Sequence, residues 1–192
     1  EDVNVPRQVA IDTVKSVCAG GAHVAAITTD GSLWSWGMNN EAQLGHDDEA
    51  HRSLPTAVAS IAGLTVKQVA AGRSCTLLID ADGALWITGQ MRMFAGPSST
   101  KFTRVQFMDN PILGGPRPLR FGQVSCTHQH ALAVTTGGAL FTWGYGLVGR
   151  LGNGSEEDND VPQVVNALKD VPIASAAAGY LTSLALARTG EL

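Results

Sequence analysis

The chain has 192 residues, of which 44% are hydrophobic and 16% are charged, so we expect a folded core and exclude wholesale disorder. No stretch approaches the roughly 18 uninterrupted apolar residues of a membrane helix, which argues against membrane insertion. The net charge of −4 disfavours general nucleic-acid binding, because such binders are usually basic. The 22 glycines against 8 prolines favour short strands joined by tight turns.

The first residues and the cysteines bear on origin and compartment. The chain starts at Glu1 without a Met or a secretion signal, so we expect a piece of something longer or a missing beginning. Three widely spaced cysteines, Cys18, Cys75 and Cys126, argue against a disulfide framework. We therefore expect buried free thiols and an intracellular location, in the cytoplasm or the nucleus.

A repeat organises the chain. Residues 1–10, with Val5 and Pro6, are typical of a strand belonging to a preceding unit. The segment Val17 to Gly37, VCAGGAHVAAITTDGSLWSWG, then recurs in register after 52, 55 and 52 residues. The later copies are residues 69–89, 124–144 and 176–192. Such self-similarity is the sequence signature of a repeat architecture.

Each copy predicts two strands around a tight hairpin, and in the first and third copies a further strand marked by proline follows. The turn dipeptides, which need positive φ, are Asp30-Gly31, Asp82-Gly83, Gly137-Gly138 and Thr189-Gly190. The proline-marked strands are Leu54 to Val58 and Val161 to Val165. With the small-residue run before each hairpin, this makes about four strands per unit.

A small antiparallel sheet cannot bury both faces alone, and radial stacking of such sheets solves this. We therefore predict an all-β protein, a β-propeller of four-stranded antiparallel blades with about three and a half blades present; a solenoid is the alternative. The chain is predicted to be one partial propeller, divided into a strand of a preceding blade (1–10), repeat 1 (15–61), repeat 2 (67–122, with a divergent loop at 90–120), repeat 3 (123–166) and an incomplete repeat 4 (174–192).

The copies resemble a known family, the regulator of chromosome condensation repeats. The first copy carries Gly20, His23, Trp36-Gly37 and the run NNEAQLG at 39–45, with Ala42 at a family glycine. The second copy departs from the pattern, since Cys75 replaces the histidine. The resemblance implies a seven-bladed propeller. The remaining blades are then expected in missing sequence or in another chain, with a small closed ring as the alternative.

Several motifs have an ordinary structural interpretation. The G-x-G-x-x-G run at 144–149 lacks the following helix of a dinucleotide site, so an inter-strand turn is favoured and no cofactor is expected. His23 and His130 are repeat-equivalent and predicted to bond backbone within or between blades. The loop from His46 to His51 is interpreted as a solvated acidic loop. No metal ligands and no catalytic residues are assigned.

The divergent segment from Gln90 to Arg120 is the main candidate for partner binding. It is locally basic and rich in Met and Phe, a combination found at protein interfaces. The candidate partner-binding residues are Arg92, Phe94, Lys101, Arg104, Arg117 and Arg120. The alternative is that Phe102 to Phe107 simply forms the fourth strand of its blade. The acidic loops Glu41 to Glu49 and Glu156 to Asp160 are expected to steer a basic partner.

The resemblance implies a noncatalytic propeller that binds another protein, in some members a small GTPase whose nucleotide exchange it promotes. One alternative is a structural scaffold subunit of a large assembly without exchange activity. The other is a metal-dependent enzyme using His128 and His130. Some propellers of this resemblance sense light through tryptophans just after the repeat glycine; that position holds Gly21, Arg73, His128 and Tyr180, which does not support such a role.

Overall fold

The strands form antiparallel sheets arranged as successive blades of a β-propeller. The structure, a computed structural model, describes residues 8–90, 99–106 and 118–192. Three sheets have four strands each, and a fourth contributes two. Chain order equals spatial order in every sheet, as expected when short turns join neighbouring strands. The predicted fold class and number of blades are confirmed.

The first two blades hold eight strands. Those of blade 1 are β1 (Val14–Ala19), β2 (His23–Thr28), β3 (Leu33–Gly37) and β4 (Arg52–Ala57). Those of blade 2 are β5 (Val66–Ala71), β6 (Cys75–Asp80), β7 (Leu85–Gly89) and β8 (Thr103–Arg104). The short β8 confirms the alternative that part of the divergent segment is a fourth strand, because Thr103 and Arg104 pair with β7.

The other two blades hold six strands. Those of blade 3 are β9 (Phe121–Cys126), β10 (His130–Thr135), β11 (Leu140–Gly144) and β12 (Asn159–Val164). Those of blade 4 are β13 (Ile173–Ala178) and β14 (Ser183–Ala187). In the described ranges, short 3-10 turns occupy Ala59–Ile61, Leu147–Gly149 and Asn166–Leu168. None of the helical segments there is long and apolar enough to cross a bilayer.

The hairpin glycines adopt the backbone conformation that the repeat predicts. Gly31, Gly83, Gly138 and Gly190 have φ between +81° and +96°, a region that L side chains rarely adopt. The blades also join at these turns, since the Val66 amide donates to the Gly31 carbonyl at 2.8 Å and the Phe121 amide to the Gly83 carbonyl at 2.8 Å. The hairpins at Gly31 and Gly83 therefore fix both the register of their own sheets and the position of the next blade.

The core lies between blades, as expected for sheets that are apolar on both faces. One apolar cluster joins blades 1 and 2 around Ile27, Leu78 and Phe102. A second joins blades 2 and 3 around Leu77 and Trp143, and a third joins blades 3 and 4. We predict a strand of a preceding blade at residues 1–10; residues 1–7 lie outside the described residues, and residues 8–10 are not in a strand.

Candidate interaction surface

The two ends of the blades differ in the length of their connections. At one end, here called the loop end, the first strand of each blade leads into the second and the third into the fourth. It comprises 20–22, 38–51, 72–74, 90, 99–102, 127–129, 145–158 and 179–182. At the opposite end, the hairpin end, lie 29–32, 58–65, 81–84, 105–106, 118–120, 136–139 and 165–172. The longest described loops are therefore collected at one end.

Buried histidines join blades near the loop end. His23 Nε2 lies 2.8 Å from Thr76 Oγ1 of blade 2, and that hydroxyl donates to the Gln43 carbonyl at 2.7 Å. His130 Nε2 lies 3.0 Å from Ser183 Oγ of blade 4, which donates to the Arg150 carbonyl at 2.6 Å. Because each hydroxyl uses its proton on a carbonyl, the imidazole Nε2–H donates to it. The sequence predicted backbone partners for both rings; the structure shows inter-blade hydroxyls.

Burial keeps both histidines neutral. Loss of solvation lowers the pKa of His23 to about 4. Loss of solvation, together with the nearby Arg150 charge, lowers the pKa of His130 to about 4. Nδ1 of His23 is buried without a hydrogen-bond partner among the described residues, so protonation there would bury an unpaired donor. Neither ring is therefore suited to acid–base chemistry near neutral pH.

Blade 2 replaces this polar link by an apolar one. Cys75 stands where blades 1 and 3 have His23 and His130, and Ala131 stands where their partners have a hydroxyl. Cys75 and Ala131 are both buried, in the same apolar cluster. Donor and acceptor are thus replaced together, so neither half of the polar pair is buried without the other.

The three cysteines are free. The hydrogen bond that Cys126 shares with Cys75, together with burial, raises the pKa of the Cys126 thiol well above its ordinary value. Burial raises the pKa of Cys18 to about 11. These two thiols are therefore poor nucleophiles at neutral pH.

Glutamines on the first strands bind neighbouring blades. The Gln68 amide donates to the Val124 carbonyl at 3.1 Å and accepts from the Val124 amide at 3.0 Å. One blade further, Gln123 does the same with Ala176, at 2.8 Å and 2.6 Å. A side-chain amide thereby acts as a short piece of β-strand between two blades. Sequence reasoning did not identify these residues, although they occupy equivalent positions.

The blade 1 loop, residues 38–51, is held by one buried asparagine. Asn39 Nδ2 donates to the Asp48 carbonyl at 2.8 Å, while Asn39 Oδ1 accepts from the Leu44 amide at 2.9 Å. The Asn39 amide donates to His51 Nδ1 at 2.9 Å. Ala42 has φ of +57°, which explains why the family pattern has glycine there.

The two histidines of this loop are parts of its structure. His46 Nε2 lies 3.0 Å from Ser35 Oγ, and burial lowers the pKa of His46. His51 accepts the hydrogen bond from Asn39. An ion pair of 2.7 Å between Arg52 and Asp48 lowers the pKa of that carboxyl. The interpretation as a solvated acidic loop therefore holds for the exposed Asp47, Glu49 and His51, whereas His46 is half-buried beside Ser35.

The blade 3 loop, residues 145–158, is held by hydrogen bonds in its first half and between its two ends. Arg150 is buried, its Nε donates to the Leu147 carbonyl at 2.9 Å, and its guanidinium also bonds Gln129. The Gly146 amide donates to Asp158 Oδ1 at 2.8 Å. A Cβ on Gly146 would lie 1.9 Å from the Glu157 carbonyl oxygen, so close approach requires glycine there. The G-x-G-x-x-G run is thus an inter-strand turn that contains a short 3-10 turn, and no longer helix follows it in residues 150–158.

The candidate basic residues are spread over the molecule. Lys101 lies at the loop end, bridged to His46 of blade 1. Arg104 is exposed on β8, and Arg120 lies at the hairpin end, where its carbonyl accepts from the Thr136 amide at 2.8 Å. The structure therefore does not bring Lys101 and Arg120 together. Arg92, Phe94 and Arg117 lie outside the described residues.

The acidic loops, in contrast, share the loop end. The acids there are Glu41, Asp47, Asp48, Glu49, Glu156, Glu157 and Asp158. Basic side chains of the described loop end are fewer: Arg52, Arg73, Lys101 and Arg150, of which Arg150 is buried. Large exposed apolar side chains lie at the same end, namely Met38, Leu147, Val148, Tyr180 and Leu181. The loop end is thus an acidic surface with apolar residues, a composition suited to contact with a basic protein.

The remaining candidates for chemistry do not converge. His128 Nε2 accepts from Arg73 at 3.0 Å near the surface, while His130 is fully buried against Ser183. The two rings of the H-x-H pair thus serve different contacts. Across residues 8–90, 99–106 and 118–192, no group of three or more His, Cys, Asp or Glu side chains is placed to hold a metal ion.

Curated relatives match most of this chain. The Arabidopsis thaliana protein "Ultraviolet-B receptor UVR8" is 30% identical over 179 residues, covering 93% of this chain and 40% of UVR8. Human "E3 ubiquitin-protein ligase HERC2" is 32% identical over 183 residues, covering 93% of this chain and 4% of HERC2. The chain therefore spans well under half the length of these relatives.

A solved structure and a family model agree on the fold. Prp20p from Saccharomyces cerevisiae superimposes with a TM-score of 0.76 at 24% sequence identity, covering 92% of this chain and 44% of Prp20p. The model "Regulator of chromosome condensation (RCC1) repeat" matches residues 30–79 and 137–186, and a second model of the same description matches 14–43. Together these matches cover more than half of the sequence. The chain belongs to the regulator of chromosome condensation (RCC1) repeat family.

Proposed function

We propose that this chain is the noncatalytic, protein-binding part of a propeller, and that its partner docks at the loop end. The observation that carries the proposal is the exposure of apolar and acidic side chains on loops that are fixed to the blades by partly buried hydrogen bonds. A rigid scaffold carrying exposed loops is the usual arrangement of a binding site. A preformed surface also loses little conformational entropy when it binds.

The finer proposal is regulation of a small GTPase by promoting nucleotide exchange. It is supported by the likeness to Prp20p, whose structure was described together with its binding to Gsp1p and histones. Exchange by such a module requires neither a general acid nor a base, only a surface that stabilises the nucleotide-free GTPase. The neutral, buried His23 and His130 agree with a noncatalytic role. The free cysteines favour a reducing compartment, the cytoplasm or the nucleus.

The exchange assay tests the finer proposal. A panel of small GTPases loaded with a fluorescent nucleotide is mixed with the protein, and nucleotide release is followed over time. Faster release from at least one GTPase supports exchange activity. Unchanged release from all of them contradicts it and leaves the alternative, a scaffold subunit of a large assembly without exchange activity.

The divergent segment supplies a second test of partner binding. Reversal of charge at Arg104 and Arg117 is expected to weaken capture of a partner that also contacts the divergent segment, because Arg side chains anchor protein interfaces. The matched control is Lys67→Glu in β5, on a first strand rather than in this segment. Capture that is equal for the variant and the unaltered protein would remove these residues from the binding surface.

A further inference from the structure

The blade 3 loop presents two apolar side chains where blade 1 presents polar ones. In the repeat alignment Leu147 and Val148 stand at the positions of Asn40 and Glu41. Leu147 is 57% exposed and Val148 is 55% exposed. In both loops the turn is followed by a residue with positive φ and by a buried leucine, so the two loops are built in a similar way. The apolar pair is therefore not needed to form the turn, which blade 1 builds with polar residues.

The backbone at Val148 also carries strain. Its φ is +58°, in the left-handed region that is unfavourable for a β-branched residue. Glu41, the equivalent residue of blade 1, does not have positive φ. Strain at an exposed side chain contributes nothing to the core, and such outliers are enriched at binding sites.

The turn is held rigidly in this exposed position. The buried Arg150 guanidinium donates to the Leu147 carbonyl, and the Arg150 carbonyl accepts a hydrogen bond from the Ser183 hydroxyl of blade 4. Thr142 Oγ1 donates to the carbonyl of the buried Leu151 at 2.8 Å. Leu147 and Val148 are therefore displayed by a preformed platform, which lowers the entropic cost of binding.

The backbone of two acidic residues lies beside the turn. Glu156 and Glu157 belong to the returning arm of the same loop, and the backbone of Gly146, one residue before the turn, lies against their carbonyl groups. Within the described part of the chain, no hydrogen bond or ion pair engages either carboxylate. Two uncompensated negative charges next to an apolar pair favour a positively charged partner over an acidic one.

We propose that the Leu147-Val148 turn and the carboxylates of Glu156 and Glu157 form a docking site for a basic segment of another protein, one with Lys or Arg side chains around an apolar anchor. The apolar anchor packs on Leu147 and Val148, while the basic side chains pair with the two carboxylates. This inference rests on the proposed protein-binding function and names the surface and the chemistry of the partner.

The test measures binding of the whole chain to short synthetic peptides. Four classes are compared: basic with one Leu or Trp, basic without an apolar residue, acidic with one Leu or Trp, and neutral. We expect the first class to bind best. Replacement of both apolar residues, Leu147→Asn with Val148→Asn, should weaken that binding about tenfold or more.

Three further variants separate the ionic contribution to peptide binding from the effect of the strained backbone at Val148 and supply a control. Glu156→Gln with Glu157→Gln should weaken binding and flatten its dependence on salt, because the ionic part is removed. Val148→Gly should weaken binding while raising the melting temperature, since glycine relieves the strain. The control Leu54→Asn with Asp170→Asn removes an exposed apolar side chain on β4 and an exposed carboxylate at the hairpin end, and it should leave binding unchanged.

The outcomes distinguish this inference from the broader proposal. Equal binding of the basic apolar peptides by the unaltered protein and the Leu147 and Val148 variant overturns the docking site. Preference for acidic or neutral peptides also overturns it, while protein binding at the loop end still stands. Binding of no peptide class overturns the docking site as well, and the exchange assay then tests the proposed function independently.

Discussion

Two neighbouring interfaces, blade 1 with blade 2 and blade 2 with blade 3, differ in the residues at one equivalent buried position. In the first, a buried imidazole donates to the hydroxyl of Thr76. In the second, the equivalent residues are Cys75 and Ala131, packed in an apolar cluster. The interface between blades 3 and 4 returns to the polar solution, with His130 and Ser183. The difference shows that the two residues facing each other across an interface are replaced together. Replacement of only one of them would leave a buried polar atom without a hydrogen-bond partner.

The largest expected effect is the pH dependence of the two polar interfaces. The pKa of His23 and of His130 is about 4 in the folded protein and about 6.5 in the unfolded chain. Between these values the unfolded chain binds more protons, so the contribution of the two histidines to stability is full above pH 6.5, falls as the pH falls and levels off below pH 4. The limiting slope is about 1.4 kcal/mol per pH unit for each histidine.

Urea denaturation over this pH range measures that dependence. Replacement of both histidines by glutamine should remove most of it while lowering stability at pH 7. An unchanged pH profile in that double variant would contradict the assignment to these two rings.

The second prediction breaks the apolar interface. Cys75→His places an imidazole against Ala131, which has no hydroxyl to accept its proton, so we expect a loss of about 3 kcal/mol of unfolding free energy. Adding Ala131→Thr should recover about 1 kcal/mol, because it restores the pair found between blades 1 and 2. Chemical denaturation of both variants measures the coupling. A single variant as stable as the unaltered protein would show that these interfaces do not require matched pairs.

The third prediction concerns the glutamines on the first strands. Gln123→Ala removes two hydrogen bonds to Ala176, and we expect a loss of about 2 kcal/mol. Gln163→Ala, at an exposed position of β12, is the matched control and should change stability by less than about 0.5 kcal/mol. Denaturation midpoints compare the two, and equal losses would argue against the role of Gln123 between blades.

The smallest effect is expected at Cys18. Ser125, its equivalent in blade 3, accepts a hydrogen bond from the Ala178 amide at 3.0 Å, and Cys18 faces the corresponding Ala71 amide. Cys18→Ser should therefore change stability by less than about 1 kcal/mol, because the hydroxyl finds the same donor. A thermal melt of the variant and the unaltered protein measures this change in stability. A large loss would mean that the thiol is needed for its volume or its apolar character.

Much of the fold followed from the repeat. The hairpins at Gly31 and Gly83 and the strands around them could be predicted because turn residues with positive φ are few. The fourth strand of blade 2 was recognised only as an alternative, since β8 has two residues and little periodicity. The partner-binding residues of the divergent segment remain a prediction. The inter-blade glutamines were missed, although aligning Gln68 with Gln123 across the repeat was a usable signal.

The sequence by itself determined the repeat, the antiparallel blades and the family, because period, turn glycines and apolar alternation are local properties of the chain. Only the tertiary structure decided which loops share an end, which histidine finds which hydroxyl, and that Lys101 and Arg120 lie apart. Those contacts join residues about one repeat apart in the chain. Their geometry depends on how one blade turns against the next, and no local pattern in the sequence encodes that rotation.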